Sequence, residues 1–165
     1  WGEDWGQVTP PAGLTDVVAI AAGYGHSLAL KSDGTVVAWG DDYCGQASPP
    51  AGLTGVTAIA AGWTHSLALK SDGTVVAWGD DTDGQASPPA GLSGVTAIAA
   101  GLDHSLALKS DGTVVAWGHD TGGQCSVPPG LDQVVAIASS PLGRYSLALT
   151  ADGEVVQLGL MELPL

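Results

Sequence analysis

A single 39-residue period governs this chain. The segment VVAIAAGYGHSLALKSDGTVVAWGDDYCGQASPPAGLTG at 17–55 recurs with few substitutions at 56–94 and again at 95–133. A divergent copy fills 134–165, and His26, His65 and His104 mark the spacing. A repeat of roughly 20 to 50 residues builds a solenoid, a propeller or an array, and its strand content decides which. Within each copy, runs such as VTAIAAG, SLALKS and TVVAWG are rich in Val, Ile, Leu and Ala and too short for a stable helix. They read as strands. Ser32-Asp33-Gly34 and its counterparts Ser71-Asp72-Gly73 and Ser110-Asp111-Gly112 place a turn former before a Gly, which closes an antiparallel hairpin.

AIAA and LAL are apolar at nearly every position, as expected of sheets covered on both faces. Small sheets stacked around an axis meet that need, so the chain is expected to be all-β, a β-propeller with one blade per repeat and four blades' worth of sequence. Stretches such as Gln85-Ala86-Ser87-Pro88-Pro89 cannot donate ladder hydrogen bonds at proline and are expected as outer edge strands. Residues 1–16 match only the back part of a repeat and form a candidate closing strand within one domain spanning 1–165. The ends leave two expectations: a self-closed four-bladed monomer, or an incomplete ring finished by more chain or by a second copy. The tail LGLMELPL abandons the repeat, as a terminal cap should.

Charge narrows the partners. Four Lys+Arg against seventeen Asp+Glu give a net charge of −13, which repels polyanions, so no nucleic acid is expected. Despite a mean hydropathy of +0.24, no apolar run approaches the ~18 residues of a spanning helix, and no membrane partner is expected.

GxxHSLALKSDGTVVAWG followed by GQ resembles the regulator of chromosome condensation repeat, in the compact form of its bacterial branch. That branch includes a secreted propeller-type inhibitor of β-lactamases. The resemblance implies a propeller whose partner-binding side chains lie on loops, often aromatics at the xx of GxxH and just after WG. It also implies an extracellular or periplasmic setting, in keeping with the acidic, Thr/Ser/Gly-rich composition. The family's eukaryotic namesake, a nucleotide exchange factor, binds chromatin, a role that needs a basic surface this chain lacks.

Positions that differ among near-identical copies are those the scaffold does not dictate. They fall after the first strand and after WG, two loop sets that leave the same end of the blades if the strands alternate. The candidate partner-binding residues are therefore Tyr24, Tyr43, Trp63, Thr64, Asp81, Asp83, Leu102, Asp103 and His119. A protein-binding module, inhibitor- or adhesin-like, is the favoured reading. A multivalent carbohydrate-binding lectin and a purely structural repeat unit are the alternatives.

The remaining chemistry reads as structural. His26, His65 and His104 occupy one place in each blade, which points to a repeated hydrogen bond to a neighbouring element rather than to a metal. Asp81-Thr82-Asp83-Gly84 resembles a calcium loop but lacks its remaining ligands. His65-Ser66 has no nucleophile elbow, and strand neighbours face opposite ways, so no enzyme, cofactor or metal is expected. Trp39, Trp78 and Trp117 read as blade packing, and Cys44 and Cys125 as free or paired with another chain.

Overall fold

The computed structural model describes residues 4–159. It contains four three-stranded antiparallel sheets, one per repeat. Blade 1 comprises β1 (Val17–Ala22), β2 (His26–Lys31) and β3 (Val36–Gly40), and blade 2 comprises β4 (Val56–Ala61), β5 (His65–Lys70) and β6 (Val75–Gly79). Blade 3 comprises β7 (Val95–Ala100), β8 (His104–Lys109) and β9 (Val114–Gly118), and blade 4 comprises β10 (Val134–Ser139), β11 (Ser146–Thr150) and β12 (Val155–Leu158). The second strand is central in every sheet. Each first strand carries a bulge after its opening Val, as between Val17 and Ala19.

The Ser-Asp-Gly turns form as expected. Asp33 Oδ1 accepts the Thr35 N–H at 3.0 Å and its hydroxyl at 2.6 Å. Gly34 takes a φ of 79°, open to a residue without Cβ. The Thr113 bonds, with help from Lys109, hold the equivalent Asp111 carboxyl down to about 2. The Pro-Pro stretches, by contrast, form no outer strand. They run as turns, with Leu53 N–H donating to the Pro50 carbonyl at 3.1 Å, because proline offers no ladder donor.

Blades pack by inserting a leucine pair into the next blade's seat. Leu28 and Leu30 of β2 enter a seat of Val56, Ala61, Ala68 and Trp78, and Leu67 and Leu69 of β5 enter its counterpart of Val95, Ala100, Ala107 and Trp117. Leu106 and Leu108 meet Val134, Ala148 and Leu158. The alanines keep these seats shallow enough for backbones to approach closely.

A polar chain runs beside each leucine pair. His26 Nε2 lies 2.8 Å from Ser66 Oγ of the next blade, and Ser66 Oγ–H donates to the Gln46 carbonyl at 2.9 Å. The same carbonyl accepts Trp78 Nε1–H at 2.9 Å. Because the serine proton goes to Gln46, Ser66 accepts from His26, which places a proton on Nε2, and burial keeps the ring neutral. His65, Ser105, Gln85 and Trp117 repeat the arrangement. His104 Nε2 lies 2.7 Å from Ser146 Oγ, whose hydroxyl donates to Ser139 Oγ at 3.1 Å and so accepts from the imidazole, and here Leu158 replaces the tryptophan. The imidazole needs a glycine beneath it: a Cβ on Gly62 would lie 2.2 Å from His65 Cε1 and 2.7 Å from the Gly101 carbonyl.

Blades 1 to 4 pack in order, and blades 1 and 4 do not pack on each other in this way. The candidate closing strand, 1–16, is described only from residue 4 onward. Its described part, 4–16, is built of turns and lies on blade 1, where the Gln7 carbonyl accepts Ser27 Oγ–H at 3.0 Å and Trp39 Nε1–H at 2.7 Å. Gln7 stands where Gln46 stands on blade 2, so the segment serves as a strap on the first blade rather than a clasp on the fourth. Residues 160–165 of the expected terminal cap lie outside the described residues.

Two outcomes follow from the polar chain. Ser66→Ala leaves a buried His26 donor unpaired and is expected to cost ~2 kcal/mol in urea unfolding, whereas Ser27→Ala, with no histidine on it, costs less than about 1 kcal/mol. Burial lowers His26, His65 and His104 from 6.5 to about 4. Between those values the unfolded chain binds more protons, so stability is complete above pH 6.5 and falls as pH drops toward 4. Melting temperatures followed over that window should show a shallower fall for His65→Asn than for the parent.

Candidate recognition face

Antiparallel alternation brings both variable loop sets to one end of the blades. Backbone bonds fasten them within each blade, with Asp41 N–H donating to Gly25, Asp80 N–H to Thr64 and His119 N–H to Asp103, each at 2.8 Å. The expected loop-built face therefore exists, and its residues divide into three groups.

The first group is aromatic. Tyr24 and Trp63 meet edge to face across the boundary of blades 1 and 2, with ring centroids 5.7 Å apart. Trp5, on the N-terminal strap, extends the row with its ring 5.7 Å from Tyr24. All three remain exposed, Trp63 at 37%. Trp5 is absent from the sequence-based candidates, although Trp5-Gly6-Gln7 aligns with Cys44-Gly45-Gln46 and so marks the same loop. Tyr43, on the loop after β3, stands apart at 94% exposure.

The second group joins blades 2 and 3. Asp83, Asp103 and His119 bring one donor atom each within 4.8 Å of one another. His119 Nδ1 lies 3.4 Å from Asp83 Oδ1, and Nε2 is hydrogen-bonded to Thr121 Oγ1. Burial, then the negative charge of Asp83, pushes the Asp103 carboxyl up. Two carboxylates and an imidazole are a donor set suited to a divalent cation, which the repeat pattern does not reveal because each residue comes from a different loop.

The third group serves the scaffold. Asp81 is exposed, but its carboxylate accepts Ala86 N–H at 2.9 Å and Ser87 Oγ–H at 2.6 Å, closing its own loop as Asp42 and Asp120 do. Thr64 Oγ–H donates to Asp80 at 3.4 Å. Leu102 departs from expectation, being only 8% exposed, and its N–H donates to the Gly143 carbonyl of blade 4's longer loop at 3.0 Å.

No nucleophilic pair assembles from the neighbours His65 and Ser66. Both are fully buried, and His65 bonds Ser105 while Ser66 bonds the Gln46 carbonyl. Cys44 and Cys125 are free. Burial and the nearby Asp120 push the Cys125 thiol up to about 12, so almost no thiolate forms there near neutral pH.

Three-stranded blades joined by a buried His-Ser-Gln-Trp chain, with variable loops gathered at one end, define a β-propeller repeat protein. Within that class the chain belongs to the Regulator of chromosome condensation (RCC1) repeat family, whose model matches residues 17–46, 56–85 and 95–124, more than half of its length. No curated protein matches the sequence significantly. Among solved structures it is similar to Prp20p from Saccharomyces cerevisiae, studied for its binding to Gsp1p and histones, at 23% identity and a TM-score of 0.75 over 87% of this chain and 45% of that one. Human WBSCR16 is similar at 22% identity and a TM-score of 0.73, over 88% and 49%. The ectodomain of the Physcomitrella patens receptor kinase CR4 is similar at 23% and 0.75, over 93% and 44%. The chain thus spans about half the length of these structures.

Proposed function

We propose that this chain is a protein-binding module that holds its partner on the loop face, with the Trp5–Tyr24–Trp63 row as anchor. The observation that carries this reading is the row itself: three exposed aromatics in contact across a blade boundary, two of them at positions where other copies carry Leu102 or a divergent loop. Aromatic anchors of this kind supply large contact area at small entropic cost. The acidic loops beside them favour a partner that offers basic groups around an apolar patch. An inhibitor- or adhesin-like role is the form of binding such a face suits. Prp20p, with the same fold, has been solved bound to Kap60, so a protein that carries this fold can take a protein partner. The blades present different pairs, Tyr24-Gly25, Trp63-Thr64 and Leu102-Asp103, rather than one repeated sugar pocket, so protein is favoured over carbohydrate.

A displayed random-peptide library selected on the wild-type chain should enrich cationic, aromatic sequences. Trp63→Ala is expected to weaken those peptides by about 30-fold, the counterpart of ~2 kcal/mol at an interface anchor, with little change in melting. Trp78→Ala, which removes a buried indole hydrogen-bonded to Gln46, should cost ~3 kcal/mol of stability. Equal destabilisation by both substitutions, or peptide binding indifferent to Trp63, would overturn the reading. So would capture on a glycan array with no peptide selected.

A further inference from the structure

The two ends of the arc are the two halves of an interface that the chain already makes three times. On blade 1 the seat is open. Val17 and Ile20 are 38% and 79% exposed, whereas Val56, Val95 and Val134, which repeat Val17, are 4–5% exposed. Pro10, Leu14, Ile20, Ala22, Leu28 and Trp39 help line a cavity of about 300 Å³ there. On blade 4 the leucine pair is bare: Leu147 and Leu149 are 36% and 37% exposed, against 0–4% for Leu28, Leu30, Leu67, Leu69, Leu106 and Leu108. The polar chain is likewise cut at both ends. Among the described residues no histidine donates to Ser27, and Tyr145, itself a phenolic donor, stands where the other blades carry histidine.

We propose that two copies of this chain associate head to tail, the leucine pair of each blade 4 entering the seat on blade 1 of the other copy. The occupant is a second copy because, among the described residues, each filled seat holds the leucine pair of this chain's own second strand, and blade 4 presents one such pair uncovered. The docking blade also needs no covalent link to blade 1, since the strap residue Gln7 already supplies the carbonyl for Ser27 and Trp39. Two copies bring eight three-stranded blades. A two-fold axis makes both junctions identical and closes the assembly.

Light scattering on the 165-residue chain tests this directly. The expected mass is twice 16.3 kDa, with a melting temperature that rises with protein concentration. Ile20→Glu and Leu147→Glu alter side chains exposed in the single chain, so each should keep its far-UV circular dichroism while weakening association at least tenfold. Mixed together, the two variants should recover association, because one junction of the mixed pair keeps both Ile20 and Leu147. A chain that stays at 16.3 kDa into the high micromolar range overturns the proposal. A dimer untouched by one of the two substitutions points to pairing of like ends and overturns it too. An open-ended series of larger species shows junctions that do not close and also overturns it.

Discussion

The carbonyl of Gln46, like that of Gln85 one blade on, is the point on which the packing of two blades depends. It accepts from Ser66 and from Trp78, and Ser66 in turn accepts from His26 of the preceding blade. One backbone oxygen therefore ties the loop leaving blade 1, the central strand of blade 2, the indole that walls the blade 2 seat and the imidazole that begins the next chain of bonds. A buried polar chain of this kind is costly if any member is missing and directional if all are present. The leucine pairs supply the apolar burial that drives blades together. Direction and register come from the polar chain, because alanine-lined sheets alone would tolerate sliding.

The same chain accounts for the motif that recurs along the sequence. In GxxH the glycine makes room for the imidazole, the histidine donates across the boundary, and the following serine receives from the blade before. In WG and GQ the tryptophan and the glutamine backbone meet one another. The side chains between these fixed points are free of such duties, so Tyr24, Trp63 and Tyr43 differ from copy to copy while Gln46, Gln85 and Gln124 are all buried. The proposed recognition row lies where the scaffold asks for nothing. At Asp81 and Leu102 the scaffold does ask for something, a loop closure in one case and cover beneath a longer loop in the other.

Much of this is legible in the sequence alone. Short strands, Asp-Gly hairpins, structural histidines and a shared loop face all follow from spacing and residue type. What escaped depends on neighbours. The histidine's partner lies about a repeat away in the next blade, so no local pattern names it. Asp81 looks like any exposed acid until its two loop bonds are seen. Trp5 sits in a partial repeat whose packing on blade 1, rather than blade 4, sets its exposure. The open seat carries nearly the same residues as the filled ones, and only the absence of a leucine pair upon it distinguishes Ile20 from Ile59.

The central claim is that His26, His65 and His104 are neutral donors through Nε2, each held by a serine of the following blade. Nitrogen-15 NMR of the imidazoles in the folded chain reads this directly. The account predicts three histidines with a protonated Nε2 and a bare Nδ1, unchanged from pH 7 to pH 5, in keeping with values lowered to about 4 by burial. Protonation on Nδ1, or full charging of these rings by pH 6, would contradict it.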